Sequence, residues 1–424
     1  MLNNFFNKVK LIFKDKSLSK KIVFVLASLV IFRLLANIPI PGIDHVALQQ
    51  FFNNNQFLGL MNIFSGGGLS GLSIVMLGVG PYITASIIMQ LLTMMVPKLK
   101  EMYHEEGEAG KKKFMQISRL LTVPLAIVQS LGFLLLLQQQ GVVLSLGAFH
   151  LITNIIVITA GSVLLMWLGE LITEFGIGNG VSLIIFTGIV SQIPSAIGQM
   201  FFSFDPAQIP TYIAFLFIGL VIILGVVVIT EAERPIPITY AKQVRGNKQY
   251  GGVSTYLPLR VNMAGVIPII FALSILLLPQ MITNLLSTIS SPFIQKATAF
   301  VNEFLSNQWY YGVAYFILVF LFTYFYTAVT FDPEAISKNL QKSGAFIPGV
   351  RPGDSTAMHI GNILTRITLV GALFLGVIAV LPIIVQGLSG ITSLTIGGTA
   401  LLIAVSVVID LVKKIEAQVS MREY

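Results

Sequence analysis

The chain contains no cysteine and few charged residues. Without cysteine it can form no disulfide, no thiolate metal site and no cysteine nucleophile. Charged residues make up 10% of its 424 residues, whereas they make up about 25% of a typical soluble domain. Hydrophobic residues make up 55% of the chain and its mean hydropathy is +0.86. A soluble fold of this size has too little interior to bury so much apolar surface, so the composition indicates a polytopic membrane protein.

Residues that carry catalysis or bind metals are scarce as well. The chain has only four histidines, and the segment that starts at His104 resembles a zinc-protease motif but has Glu108 where the second histidine is required. Ser70 and Ser73 have no histidine nearby in the sequence to activate them. The centres of the apolar stretches lack the Asp, Glu or His relay of a proton-coupled pump. The sequence therefore predicts neither an enzyme nor a cofactor site.

Ten apolar stretches are long enough to cross a bilayer, which requires about 20 residues in a helix. They lie near residues 22–38, 72–96, 120–138, 150–170, 180–200, 211–230, 262–283, 310–330, 367–386 and 394–412. Of the 26 lysines and arginines, 24 lie in the N-terminal tail, in three loops or in the C-terminal tail, all on one side of this arrangement. The positive-inside rule places both termini in the cytoplasm. Arg33 lies within the first stretch, and we interpret it as a snorkelling side chain or a structural hydrogen-bond donor.

A long uncharged segment, from His45 to Pro97, precedes and includes the second stretch. Its glycines Gly66, Gly67 and Gly68 would weaken a continuous helix, since glycine costs about 1 kcal/mol per helical residue. One interpretation is a short half-helix, a glycine hinge and then the second span, with the broken backbone lining a cavity. The other is an external amphipathic helix that lies on the bilayer.

Three loops on the basic side are long, at residues 97–119, 231–261 and 331–366. Arg245 and Lys248 lie in the second loop, and Arg351 lies in a Pro-Gly frame in the third. Turn-forming residues around them predict ordered hairpins that dock a partner. RNA phosphates, an acidic protein surface and lipid headgroups would all suit such basic loops.

Several motifs together resemble the bacterial SecY family, the channel subunits of the Sec protein translocon. They are IPIPGID at 38–44, PYITASII at 81–88, GIGNG at 176–180, LPLRVNMAGVIP at 257–268 and KSGAFIPGVRPG at 342–353. The resemblance runs from about residue 20 to residue 412 with the same order of spans. It implies an all-α fold of ten transmembrane helices, arranged as two inverted, pseudo-symmetric halves around a central pore.

The resemblance also implies a division of the chain. Residues 1–21 would form a cytoplasmic N-terminal segment, 22–200 the N-terminal half with spans 1–5, 201–412 the C-terminal half with spans 6–10, and 413–424 a cytoplasmic tail. Residues 57–72 would form a plug that closes the pore on its outer side. The plug residues carried over are Leu60, Met61, Ile63, Phe64, Gly66, Gly67 and Gly68.

Two further sets of residues follow from the resemblance. A ring of aliphatic side chains would form the pore constriction: Val79, Ile83, Val181, Ile185, Ile270 and Ile403. A lateral gate between spans 2 and 7 would carry polar residues: Gln90, Thr93 and Asn262. Without the resemblance, the ring positions look like generic apolar packing.

The implied function is passive conduction of unfolded secretory polypeptides, with sideways release of signal peptides and membrane helices into the membrane lipids. The implied partners are SecE, SecG, the SecA ATPase and the ribosome, and the implied location is the bacterial plasma membrane. A secondary transporter of a small solute is the alternative, because inverted repeats and broken helices fit it too. An intramembrane protease comes third, since the spans lack a catalytic dyad.

Overall fold

The computed structural model describes residues 15–41, 65, 67–69, 71–104, 106–139, 141–142, 147–202, 209–241, 243–245, 248–250, 254–286, 292–389 and 397–420. The statements that follow concern these residues. Helices dominate, and a small β-structure lies between two of them. The predicted plug residues Leu60, Met61, Ile63, Phe64 and Gly66 lie outside the described residues.

The helices of the first half of the chain precede the β-structure. They are α1 (Lys16–Ala36), α2 (Gly80–Met95), α3 (Pro97–His104), α4 (Gly107–Gln139), α5 (Ala148–Phe175), α6 (Gly180–Phe202) and α7 (Ile209–Glu231). The α1 helix begins at Lys16 because the Asp15 carboxylate accepts hydrogen bonds from the amides of Ser17 and Leu18. Pro97 follows the end of α2, and α3 leaves at an angle of 113°.

The second half consists of strands and six further helices. The strands are β1 (Glu233–Tyr240), β2 (Gln243–Arg245), β3 (Lys248–Tyr250), β4 (Ser254–Arg260) and β5 (Ala345–Phe346). The helices are α8 (Ile267–Leu286), α9 (Pro292–Ser306), α10 (Gln308–Thr330), α11 (Pro333–Lys342), α12 (Asp354–Ser389) and α13 (Gly397–Ser420). The side chains of Asn307 and Asp332 cap α10 and α11, respectively. Each accepts hydrogen bonds from free backbone amides in the first turn of its helix.

A helix lies within each of the ten predicted apolar stretches, so the fold is consistent with ten spans. By length and composition alone, four described helices can cross a membrane, and a fifth crossing results if α2 and α3 form one broken span. Shorter apolar helices lie within α6, α7 and α8. The chain is thus a predominantly α-helical, polytopic membrane protein.

Several predicted boundaries were wrong because hydropathy detects only the apolar part of a helix. The α4 helix starts at Gly107 and α12 at Asp354, so both continue well into the predicted loops. The α13 helix reaches Ser420 and takes in most of the predicted tail. Conversely, α2 starts only at Gly80, and residues 74–79 form turns. Polar side chains stabilise the extensions, as in the Lys111–Glu108 pair in the first turn of α4.

The turn between α5 and α6 shows why the GIGNG segment is rich in glycine. Gly178 has φ +95°, a conformation that other residues rarely adopt. A Cβ on Gly180 would lie 1.9 Å from the carbonyl oxygen of Gly169, so α6 starts in backbone contact with α5. Thr173 joins the two helices, since its hydroxyl donates to Gly169 and accepts from the Gly180 amide. The segment is a tight helix–helix turn.

We expect Gly180→Ala to destabilise the protein, because the added methyl group would meet a backbone oxygen that cannot swing away. Such overpacking costs about 1–3 kcal/mol, and the midpoint of thermal unfolding in detergent should fall. Gly198→Ala is the matched control on the same helix, because a Cβ there meets nothing within 4 Å. The control should be neutral or slightly stabilising. Equal midpoints for the two variants would contradict the close contact.

Candidate functional site

The six predicted ring residues belong to one apolar cluster inside the helix bundle. Val79 directly precedes α2 and Ile83 lies in its first turn, Val181 and Ile185 lie on α6, Ile270 on α8 and Ile403 on α13. All except Val181 are buried, with at most 6% of the side chain exposed. Val181 is partly buried and packs against the cluster that contains the other five residues. The fold thus places aliphatic side chains from four separate elements in one apolar cluster.

Local geometry explains how two of these pairs are positioned. The Ile83 amide donates to the Val79 carbonyl over 3.0 Å, so the two residues are one helical turn apart on the same face. Val181 follows Gly180 at the start of α6, and its methyl group lies 3.1 Å from where a Cβ would stand on Gly169. The glycine turn therefore fixes where this face of α6 meets α5.

Before α2, the backbone is not helical and is fastened to two other elements. The amides of Ile40 and Ile74 bond to the carbonyls of Leu72 and Ile38, which attaches this segment to the chain that leaves α1. On the other side, the Ser162 hydroxyl donates to the Gly78 carbonyl over 2.9 Å. A Cβ on the neighbouring Gly161 would lie 2.2 Å from the Ile74 carbonyl oxygen. Sequence reasoning missed this Gly161-Ser162 contact surface, although adjacent small residues within a span are a signal for close approach.

Of the predicted plug residues, Gly67 and Gly68 are described. Gly67 has φ +83°. A Cβ on Gly68 would lie 2.8 Å from the Ser73 hydroxyl and 3.1 Å from the Val75 carbonyl oxygen. Gly67 is therefore required by its backbone conformation, and Gly68 by the lack of space for a side chain.

The predicted gate residues lie on α2 or just before α8, two helices that pack together. Gln90 and Thr93 are on α2, with the Thr93 hydroxyl bonded to the Gln90 carbonyl. Asn262 was predicted inside span 7, but α8 begins at Ile267, so Asn262 lies in the turn that leads into it. Gly265, with φ +60°, and Pro268, in the first turn of α8, explain why the helix starts late.

Two side-chain oxygens of these predicted gate residues are buried without compensation. Gln90 Oε1 and Asn262 Oδ1 have no hydrogen-bond partner among the described residues. A buried amide oxygen left without a donor costs about 1–3 kcal/mol. Sequence reasoning missed another buried polar contact of α2, in which Gln129 Nε2 of α4 lies 3.5 Å from the Thr84 hydroxyl.

On the basic side, the strands join two of the long loops. β1 pairs with β4 along its length and with β5 through Thr239–Phe346 and Tyr240–Ala345. An apolar cluster that includes Ile236, Ile347 and Ile360 lies beneath this sheet. Arg245 and Lys248 face each other across the β2–β3 hairpin, and Arg351 is exposed in the loop after β5. We call this assembly of β1–β5, α11 and the 347–353 loop the platform.

Ion pairs hold helix ends on the same side. Arg119 Nε of α4 lies 2.6 Å from Glu170 Oε1 of α5, and Lys413 Nζ of α13 lies 2.9 Å from Glu231 Oε1 of α7. Within the described residues, no group of three His, Cys, Asp or Glu side chains could hold a metal ion.

Comparison with known proteins assigns the family. The SecY family profile matches residues 73–412. The chain belongs to the SecY family. The resemblance inferred from the sequence motifs is confirmed.

Curated SecY relatives match almost the whole chain. The protein translocase subunit SecY of Corynebacterium glutamicum is 42% identical, and the match covers 97% of each chain. The protein translocase subunit SecY of Mycobacterium tuberculosis is 41% identical over 100% of this chain and 99% of its own. The protein translocase subunit SecY of Synechocystis is 40% identical over 95% of this chain and 92% of its own. All three relatives are thus named as protein translocase subunits.

Solved structures with the same fold are protein-conducting channels. One, described as the structure of a protein conducting channel, superposes with a TM-score of 0.62 at 19% identity and covers 93% of this chain and 91% of that one. Sec61 in a canine ribosome-channel complex superposes with a TM-score of 0.59 at 18% identity, with the same coverage. At these identities the likeness shows the fold.

We expect Asn262→Leu to stabilise the packed arrangement of α2 and α8. Leucine has a similar volume and removes the uncompensated oxygen, which should favour this state by about 1–3 kcal/mol. The midpoint of thermal unfolding in detergent should rise, and initiation of polypeptide transport in vesicles should slow. Thr283→Val is the matched control, since the Thr283 hydroxyl bonds to Asn302 and its loss should destabilise instead. A lower midpoint for Asn262→Leu would contradict the interpretation.

Proposed function

We propose that this chain is the channel subunit of a protein translocon, which passes unfolded polypeptides across the bacterial plasma membrane and releases apolar segments sideways into lipid. The observation that carries the proposal is the apolar cluster to which six aliphatic residues from four elements contribute. Val79, Ile83, Val181, Ile185, Ile270 and Ile403 would form the pore constriction. Protein translocase names among relatives at 40% identity and above support the same conclusion.

The physical properties of such a ring suit this task. A narrow apolar neck excludes water and ions when it is empty, because hydrating it is unfavourable. It offers no fixed charge and no hydrogen-bonding group, so a passing polypeptide meets no strong binding site. Aliphatic side chains can also change rotamer and adapt to passing groups of different sizes. An apolar ring therefore seals against ions and still conducts a chain of mixed composition.

The division into halves explains how the pore would open. Residues 22–200 would form the N-terminal half and 201–412 the C-terminal half, hinged between α6 and α7, with the segments 1–21 and 413–424 outside them. The ring would then draw on α2 and α6 from one half and on α8 and α13 from the other. Separation of the halves would widen the ring and part α2 from α8 at the same time.

The sideways exit would lie between α2 and α8, with Gln90, Thr93 and Asn262 as its polar residues. The buried oxygens of Gln90 and Asn262 support this proposal, because a contact that carries uncompensated polar atoms is easier to part than an apolar one. An apolar signal peptide in the opened gate prefers lipid to the aqueous pore, so it partitions outwards.

The plug would be residues 57–72, closing the pore on its outer side. Its proposed residues are Leu60, Met61, Ile63, Phe64, Gly66, Gly67 and Gly68. The fastened backbone between Gly67 and Val79 supports the proposal, since it would anchor one end of the plug beside the ring while the glycines allow the rest to move.

The platform would receive the partner that supplies energy, with both chain termini on the same, cytoplasmic side. Arg245, Lys248 and Arg351 are the proposed docking residues. The described part of the chain holds no nucleotide-binding loop, so the energy for transport would come from a partner such as the SecA ATPase or a ribosome. SecE and SecG are the proposed further subunits. One structural neighbour, Sec61, was solved in a ribosome-channel complex.

The alternative, a secondary transporter of a small solute, needs charged or polar ligands that converge at the membrane midplane. The six proposed ring residues are all aliphatic and offer no such ligand. The relatives and solved structures reported above are named as protein translocase subunits and a protein-conducting channel.

We expect Ile83→Asn to favour the open pore. A buried amide without a partner costs about 1–3 kcal/mol in the closed ring, and that cost is relieved once water enters. Resting conductance in planar bilayers should rise, and polypeptides with defective signal sequences should be transported better. Ile156→Asn on α5 is the control, because Ile156 is exposed on the outside of the bundle. Unchanged conductance in Ile83→Asn and Ile270→Asn alike would place the pore elsewhere.

We expect Arg351→Glu to weaken transport driven by SecA or by a ribosome. Reversing a charge in a docking surface replaces attraction by repulsion. The like-charge contact weakens the binding free energy by about 2–3 kcal/mol where the groups approach closely. The rate of transport into reconstituted vesicles should fall, and the effect should shrink as salt is raised. Lys296→Glu makes the same charge reversal on an exposed residue of α9, which would face the opposite side. Equal rates for the two variants would contradict docking through Arg351.

A further inference from the structure

The α9 helix lies between two apolar helices, at the end of the bundle that is remote from the platform. It joins the end of α8 to the start of α10, whereas β4 precedes α8 and α11 follows α10 at their other ends. With 15 residues it is too short to cross a bilayer, which requires about 20. Its surroundings therefore depend on which residues each of its faces presents.

One face of α9 packs against the protein. Thr298 is buried, and Leu305 packs against the apolar cluster that contains the ring residues. The two residues are seven positions apart and so share one face of the helix. The Thr283 hydroxyl of α8 donates to Asn302 Oδ1 over 3.1 Å, which ties α9 to the preceding helix. Any further partner must therefore meet another face.

A second face of α9 is aromatic and exposed. Phe293, Phe300 and Phe304 follow the spacing i, i+7 and i+11, which places them on one side of the helix. These residues are 81%, 71% and 38% exposed, respectively. Ala297, on the same side, is exposed as well. The described part of the chain thus leaves a row of three large aromatic side chains uncovered. We call Phe293, Phe300 and Phe304 the aromatic face.

The remaining side of α9 is polar. Gln295 and Asn302 are exposed and lie on the side away from the aromatic face. Lys296 and Glu303 are exposed as well and border the aromatic face. Their opposite charges leave this border without net charge. Around its axis the helix therefore presents one side to the protein, one polar side to water and one aromatic side to a third, apolar environment.

The aromatic face continues into the lipid-facing side of α10. The ring of Phe304 stacks on that of Tyr310, with centroids 5.8 Å apart and an interplanar angle of 5°. An exposed row on α10 starts there and consists of Tyr310, Val313, Ile317 and Leu321. Because α10 is long and apolar enough to cross a membrane, an exposed aliphatic row on it faces lipid. The aromatic face therefore adjoins the bilayer.

The length of α10 sets the depth at which α9 lies. With 23 residues, α10 is about 35 Å long, whereas the hydrocarbon core of a bilayer is about 30 Å thick. Only Asn307 separates the two helices, and its side chain accepts from the amides of Trp309 and Tyr310. The α9 helix therefore leaves α10 at the level of the lipid headgroups. Trp309 and Tyr310 are exposed, and both residue types are enriched at that level.

We propose that α9 is an interfacial membrane helix, whose aromatic face inserts into the acyl-chain edge of the leaflet remote from the platform. Apolar burial drives the insertion, because the charges of Lys296 and Glu303 cancel beside the face, so anionic lipid is not required. The contacts of α9 with α8 and α10 then hold the ends of both spans at a fixed depth. The proposal rests on the membrane fold and does not depend on the proposed pore.

The first test measures the depth of α9 in the full chain, purified with any subunits that remain bound and reconstituted into phosphatidylcholine vesicles. Because the chain has no cysteine, one fluorophore can be attached at Phe300→Cys, or at Gln295→Cys on the polar side as the matched control. Lipids with a spin label near the headgroup should quench the fluorophore at position 300 severalfold more than lipids labelled at the chain end. Iodide in the water should quench it weakly, and should quench the fluorophore at position 295 strongly.

Three other results would each overturn the proposal. Equal quenching by iodide at positions 300 and 295 would place the aromatic face in water. Protection of position 300 from iodide and from both lipid quenchers would show that a second copy or another subunit covers the face. Insertion that occurs only after phosphatidylglycerol is added to the vesicles would show binding through headgroup charge instead of apolar burial.

The second test changes the aromatic face itself, with the fluorophore attached at Phe293→Cys. Phe300→Asp should lower quenching by the headgroup-region spin label severalfold, because a carboxylate does not enter an apolar layer without a partner. Gln295→Asp adds the same charge on the polar side and should leave the quenching unchanged. Phe300→Ser should act in the same direction as Phe300→Asp and replaces it if that variant does not fold. Equal quenching in the variants at positions 300 and 295 would contradict insertion through the aromatic face.

Discussion

Backbone amides and carbonyls inside a bilayer must find hydrogen-bond partners within the protein, and the rest of this structure depends on that constraint. Helices meet it by themselves, and most of the described chain is helical. The described backbone from Leu72 to Val79 meets it through its own tight turns and through two other elements, the chain leaving α1 and the Ser162 hydroxyl. This non-helical segment can therefore exist inside the bundle, because its surroundings supply partners that a helix would have supplied.

Buried aliphatic side chains and buried polar side chains without partners occupy different parts of the interior. The six proposed ring residues are aliphatic and five of them are buried, which suits the constriction that we propose. Gln90 of α2 and Asn262, just before α8, instead have side-chain oxygens that are buried without partners among the described residues. Such atoms lower the stability of the packed state. That weakness suits the proposed gate between α2 and α8, whereas the backbone contact at Gly180 fixes the turn from α5 to α6.

The platform shows how loops without apolar spans become ordered. β1 pairs with β4 within one loop and with β5 of another, and an apolar cluster under the sheet joins both to the start of α12. Arg351 therefore stands on a rigid base and not on a slack connection. The helices α4, α12 and α13 continue beyond the predicted spans, and pairs such as Lys413–Glu231 tie their ends together.

The sequence by itself determined the class of protein, the position of ten apolar helices and the family, because hydropathy and long motifs are local properties of the chain. It also indicated a glycine-dependent break at Gly66–Gly68, since glycine marks backbone conformations that other residues rarely adopt. Only the tertiary structure decided which distant residues meet. It joined the two loops through β1 and β5, started α8 at Ile267 so that Asn262 precedes it, and brought Gly161 and Ser162 against residues 74–78. It also turned Arg33, which looked like a snorkelling residue, towards Gly67. These outcomes depend on how whole helices pack, and contacts between residues far apart in sequence leave no periodic trace in one chain.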